Sequence, residues 1–195
     1  IQVANLDGLK GRLERVAGLA IKTTEKGIRM GMDLFGGEIE EELEEISGKK
    51  IIGTVEKVKL IGKDGKEIEV EAKIDTGADS TSIDTELARE LGFGDVIDEF
   101  AKIDTSTYEL KPENESSIKA DILSTYKETV PFLENVAVVF SASGSSIRPV
   151  IKVPFIMNGI EVSSKVNVAR RTNLVQQMIV GRRDLKRFLI NTSKL

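Results

Sequence analysis

Ile74-Asp75-Thr76-Gly77-Ala78-Asp79-Ser80-Thr81-Ser82-Ile83 is the stretch on which the reading of this chain turns. Just before it, Ile68, Val70, Ala72 and Ile74 alternate with Glu67, Glu69, Glu71 and Lys73. That period of two predicts a strand with one buried and one wet face. The strand ends at Asp75, so an apolar element delivers a carboxylate to a turn. Gly77 has no Cβ, which lets backbone and a second carboxylate come close. Thr76 carries a hydroxyl that can bond across to a second copy. Two aspartates about 3 Å apart cannot both ionise, so they share a proton. One then acts as base on a water while the other polarises a carbonyl. Asp-Thr-Gly alone also fits an ordinary turn after a strand. Its continuation as Ala-Asp-Ser-Thr, and a second element at Ile179-Val180-Gly181-Arg182, favour the catalytic reading.

Working outward, Lys63-Asp64-Gly65-Lys66 and Asn158-Gly159 are hairpin signals. Strands are expected over 51–60, 150–157, 160–168 and 178–180, with Phe188-Leu189-Ile190 as a further strand suited to a dimer sheet or to the core. Residues 84–92 predict a short helix, capped by Asp84 or Thr85 and stopped by Gly92. Segment 93–147 shows little periodicity. The count of strands and hairpins predicts a mainly β barrel or sandwich. Residues 1–47 read differently: Leu9, Leu13, Val16 and Ala20, then Ile39, Leu43 and Ile46, recur at helical spacing. The expected organisation is therefore a helical extension over 1–47, a pro-segment or tether, and a β domain over 48–195. The chain opens on Ile1, so a segment trimmed from its start is expected.

Composition narrows the chemistry. Of 195 residues, 40% are hydrophobic and 31% charged, with a net charge of -4 and no basic stripe. Nucleic acid is not an expected partner. No stretch approaches the roughly 18 apolar residues of a membrane helix, and a cytoplasmic location is expected. There is no cysteine and no histidine, which removes thiol chemistry, every Ser-His scheme and the usual zinc ligands. No cofactor or metal is expected.

The motif at Asp75–Ser82 resembles the active-site loop of retropepsins, the retroviral aspartic peptidases and their cellular relatives. Ile179–Leu185 resembles their second motif, two apolar residues, Gly-Arg, then Asn or Asp and Leu. Ser141-Ala142-Ser143-Gly144 and Arg148-Pro149-Val150 are similar to stretches of a prokaryotic retropepsin-like group known as ATP-dependent zinc proteases. Asn158-Gly159, Arg171 and Leu174 fit that group's spacing. The resemblance covers roughly residues 51–195. The prokaryotic group usually has histidine where this chain has Asp84, and an all-carboxylate zinc site would be unusual.

The resemblance implies a closed β barrel with a psi-shaped crossing beneath the loop, and a homodimer that completes an aspartate pair. It assigns Asp75 as catalytic, with Thr76 and Gly77 building the loop and Ala78, Asp79, Gly181 and Arg182 supporting it. An ion pair between Asp79 and Arg182 is expected, carried over residue for residue. Ser143, Gly144 and Ser145 are the candidate flap. The substrate is a peptide or protein. The prokaryotic relatives resemble partners of glutamate ligases, which points to acidic peptides, with Arg148, Arg170, Arg171 and Arg183 as candidate contacts. Ala101-Lys102-Ile103-Asp104-Thr105 echoes the first motif, but Ser106 stands where glycine would, and a catalytic role is not expected there. The alternative is a retropepsin-like module that dimerises or binds peptides without turnover.

Overall fold

The computed structural model describes residues 44–141, 144–171 and 174–194. The extension expected over 1–47 lies outside them up to residue 43. The chain divides into two units, Ile1–Ile51 and Ile52–Leu195. In the first, β1 (Glu45–Ile46) forms a hairpin with β2 (Lys49–Ile52), whose last residue, Ile52, already belongs to the second unit. Ser47 (φ 53) and Gly48 (φ 74) close it, both in the left-handed region that a two-residue hairpin turn requires. The helical spacing extended to Ile46 therefore does not describe that residue, which is extended and pairs with Lys49.

The second unit is mainly β. Its strands are β3 (Val55–Ile61), β4 (Glu67–Asp75), β5 (Ser82–Asp84), β6 (Asn135–Ser141), β7 (Gly144–Met157), β8 (Ile160–Ala169), β9 (Met178–Gly181) and β10 (Phe188–Ile190). The order β3-β4-β9-β5-β8-β7 closes on itself because β7 also pairs with β3, through Val58↔Met157 and Leu60↔Phe155. The result is a six-stranded closed barrel, which leaves none of these six strands as a bare edge. β6 lies outside the ring, on the first half of β7. Pro154 falls between Val150, the last β7 residue paired with β6, and Phe155, the first paired with β3. A residue lacking an N–H is tolerated at such a break in pairing.

Alternation along each strand builds the core. Val58, Leu60, Ala72, Ile151, Val153, Phe155, Met157, Val166, Met178 and Val180 are fully buried, each large one contributing about 1.5–3 kcal/mol. The expected turns are present. Asp64-Gly65 joins β3 to β4, with Gly65 at φ 81 and Asp64 Oδ1 accepting from Lys66 N–H. Asn158 (φ 47) and Gly159 (φ 73) join β7 to β8. Phe188 of β10 is buried in the same core, and the N–H of Asn191 donates to Ile52 O at 2.8 Å.

Helices fill the less legible middle. Asp84 caps α1 (Thr85–Ala88) by accepting from Glu86 N–H. Gly92 does not stop the helical run as expected. At φ 88 it only kinks a π-type turn over Arg89–Phe93, and α2 (Gly94–Phe100) follows. A third helix, α3 (Glu115–Tyr126), buries only Ile118 and Ile122, spaced four apart. Among the described residues no helix is long and apolar enough to cross a membrane.

Candidate functional site

Two strands run side by side beneath the motif. β4 and β9 are parallel neighbours, with Ala72↔Met178, Ile74↔Val180 and Asp75↔Gly181 in register. β5 lies antiparallel on the other side of β9. A central strand between two neighbours of opposite direction is the psi-shaped crossing that the resemblance implies. It delivers Asp75 and Gly181 to the same end of the barrel.

Asp75 is half-buried at the last position of β4. Its Oδ1 accepts from the N–H of Gly77 at 3.0 Å and of Ala78 at 3.1 Å. The loop thus folds back on its own carboxylate, and a Cβ on Gly77 would stand 3.2 Å from that oxygen. Thr76 and Gly77 are exposed. Gly181 is needed for a different reason: a Cβ there would lie 2.4 Å from Ser80 C and 2.6 Å from Ser80 O. Arg182 N–H donates to Ala78 O at 2.9 Å, and Arg183 N–H to Asp79 O at 3.2 Å. The second motif therefore clasps the first mainly by backbone.

Arg182 and Asp79 meet as expected, with Nη2 and Nε each 3.2 Å from Oδ1. Their side chains are 62% and 46% exposed, however. Arg183 also reaches Asp79, through Nη2 to Oδ2. The pair is a solvated cluster of two cations on one carboxylate.

The buried brace is elsewhere. Thr81 is fully buried, donates its hydroxyl to Asp184 Oδ2 and accepts from Gly181 N–H at 3.2 Å. Ser164 of β8 donates to the same oxygen at 2.5 Å. Asn167, 3% exposed, donates through Nδ2 to Thr81 O at 2.9 Å and to Ser80 Oγ at 3.2 Å. Sequence reasoning did not single out Thr81, Ser164, Asn167 or Asp184. The signals were the Ser-Thr that continues the first motif and the Asp-Leu that ends the second.

Asp84 is buried and used structurally. Besides capping α1 it accepts from Arg171 N–H at 2.5 Å. Burial pushes the Arg171 guanidinium below its usual value, against the opposing pull of the Asp84 and Asp75 carboxylates. Burial likewise lowers Arg148, and the charge of Arg171 adds to the shift. Arg170 and Arg183 are exposed. The echo at Asp104 is an exposed cap, its Oδ1 accepting from the N–H and hydroxyl of Ser106.

β6 and β7 form a long hairpin from Asn135↔Val150 to Ser141↔Gly144. Gly144 and Ser145 sit at its tip, Gly144 at φ 118. Ser143 lies outside the described residues. Between this hairpin, the Gly77–Ser80 loop and α3 lies a cleft of about 440 Å³, lined also by Ser82, Arg148, Asn167 and Ile179. Asp75 stands next to the cleft rather than in its lining. Among the described residues no three acidic side chains cluster as a metal site.

No protein-family profile matches the chain, and no curated protein matches it by sequence. Solved structures do match. One is a Legionella pneumophila protein of unknown function (DUF785), 17% identical with a TM-score of 0.39; the match covers 73% of this chain and 93% of that one. Another is the solution structure of a simian foamy virus protease, 11% identical with a TM-score of 0.33; the match covers 67% of this chain and 90% of that one.

Proposed function

We propose that the chain is one half of a homodimeric aspartic endopeptidase of retropepsin type, related to the prokaryotic group known as ATP-dependent zinc proteases but using no metal. One observation carries the reading. A half-buried carboxylate, Asp75, ends a barrel strand in a turn whose own N–H groups fix one oxygen, while the flanking Thr76 and Gly77 stay exposed, where a second copy must approach.

In the dimer the two Asp75 carboxylates share one proton. The ionised one takes a proton from a water, which attacks the scissile carbonyl carbon. The protonated one donates a hydrogen bond to the carbonyl oxygen; as the tetrahedral intermediate collapses, the C–N bond breaks and the proton taken from the water passes from the aspartate to the leaving amine nitrogen. Thr76 hydroxyls tie the two loops across the axis, and the Ala78, Asp79, Gly181 and Arg182 segment holds each loop. The hairpin tipped by Gly144 and Ser145 acts as the flap, closing over a peptide in the cleft. A cytoplasmic location and an acidic peptide substrate belong to the same reading.

The test is peptide hydrolysis by the full chain. Asp75→Asn should abolish hydrolysis with the melting curve preserved, and a chelator should leave the wild-type rate unchanged. Inhibition by chelator that zinc reverses would overturn the proposal, as would an active Asp75→Asn protein.

A further inference from the structure

The cleft beside Asp75 carries six charged side chains: Asp79, Glu115, Lys119, Arg148, Lys165 and Arg183. Five of them have opposite charges within ion-pair reach. Asp79 holds Arg183, Glu115 holds Lys119, and Lys165 is 3.3 Å from Glu134. Arg148 is different. It is half-buried, yet among the described residues it has no carboxylate partner. Its Nε donates to Ser146 Oγ at 2.9 Å and its Nη1 to Asn167 Oδ1 at 3.2 Å, both neutral groups. A guanidinium withdrawn from water without a counter-charge is unfavourable, and its remaining N–H donors have no acceptor among the described residues.

A second observation is independent of the first. Ser82 lines the same cleft, is 1% exposed, and its Oγ is buried with no hydrogen-bond partner among the described residues. Unpaired buried hydroxyls are rare in folded proteins. Asn167, by contrast, is fully engaged: it donates to Thr81 O and Ser80 Oγ on one side and orients Arg148 on the other. The surrounding walls are Val138, Val150 and Ile179.

We infer that Arg148 and Ser82 form a subsite for the side-chain carboxylate of a substrate residue, with Asn167 as the residue that positions Arg148. The unsatisfied groups of Arg148 are donors, and Ser82 can donate as well. A carboxylate satisfies them, whereas the isosteric carboxamide would turn its own N–H₂ toward them. The apolar walls suit the methylenes of a glutamate. The inference rests on the peptidase reading for its consequence: in a two-fold dimer the subsite occurs once on each side of the dyad, so a substrate with an acidic residue on both sides of the scissile bond gains twice.

The experiment compares two amidated peptides that differ only in glutamate or glutamine at those two positions. Calorimetric titration into the Asp75→Asn protein should show the glutamate peptide binding roughly tenfold to a hundredfold more tightly, less so at high salt. Arg148→Gln should remove the preference and Ser82→Ala should reduce it. If Arg148→Gln does not fold, Arg148→Lys, which keeps the charge but loses the fork, should also reduce it. Equal binding of the two peptides, or a preference unchanged by these substitutions, overturns the subsite. Selective binding without hydrolysis by the wild type supports the subsite while refuting the peptidase; hydrolysis of both peptides at equal kcat/KM refutes the subsite while supporting the peptidase.

Discussion

Replacing Gly181 by alanine tests how tightly the two motifs are packed. Gly181 is buried, ends β9 and faces Asp75 in the parallel ladder. A Cβ placed on it would stand 2.4, 2.6 and 2.8 Å from Ser80 C, O and Cα. All three are backbone atoms, so no side chain can rotate away, and the loop itself must shift. Overpacking a well-filled site costs typically about 1–3 kcal/mol, and three backbone overlaps place this substitution near the upper end, about 3 kcal/mol. With a urea dependence of about 2 kcal/mol per molar, the unfolding midpoint should fall by about 1.5 M. Gly65→Ala is the control. Nothing lies within 4 Å of its added Cβ, so only the positive φ of 81 opposes it, at about 1–2 kcal/mol. Under conditions where Gly181→Ala remains folded, hydrolysis should still be reduced, because Ser80 belongs to the loop that carries Asp75. A Gly181→Ala midpoint no lower than that of Gly65→Ala would refute the reasoning.

Arg182→Ala should change stability by no more than about 0.5 kcal/mol, since exposed pairs contribute little and Arg183 still faces Asp79; a fall in urea midpoint as large as that of Gly181→Ala would contradict this. Tyr108 donates its hydroxyl to Asp121, and that bond, with burial and the carboxylate's charge, pushes its pKa up from 10.0 to about 12. Because the folded value is raised, the stabilisation is fully present below pH 10, where the unfolded phenol is still protonated, and is lost as pH rises toward about 12. The absorbance of tyrosinate in a Tyr126→Phe background reads this directly: Asp121→Asn should bring the titration back toward 10.0, and a wild-type Tyr108 already titrating there would refute it.

The barrel was legible where one face of a strand meets water. Glu67–Asp75 alternates because its odd positions are wet and its even ones face the core, and Asp64-Gly65 and Asn158-Gly159 need φ values that few other residue pairs supply. The middle was not legible because its burial is sparse. α3 buries only Ile118 and Ile122 fully, with Leu123 and Tyr126 partly buried against the core, so its twelve residues carry a weak apolar signal diluted by polar neighbours. Gly92 misled for a related reason: a positive φ ends a helix only if the chain then departs, and here the buried Val96 and Phe100 draw it into a second one. Ile46 followed a helical period, but the Ser47-Gly48 turn gave it a strand partner.

The candidate site divides along the same line, and magnitudes decide which residues hold it. The resemblance implied a pair between Asp79 and Arg182, and they do meet, but in water, where such a pair contributes at most about 1 kcal/mol. What fixes the loop is set by tertiary contacts that no spacing reports. Thr81 and Ser164 approach one oxygen of Asp184 from strands β5's entry and β8, 83 residues apart by number (164 − 81). Hydrogen bonds to a charged group are each worth about 1.5–3 kcal/mol, and Thr81 also accepts from Gly181 N–H. The node thus ties first motif, second motif and barrel wall through one carboxylate. Asp184, rather than Arg182, is therefore the residue on which the placement of Asp75 depends most, although only its partners' burial, invisible in a linear pattern, distinguishes it from a surface aspartate.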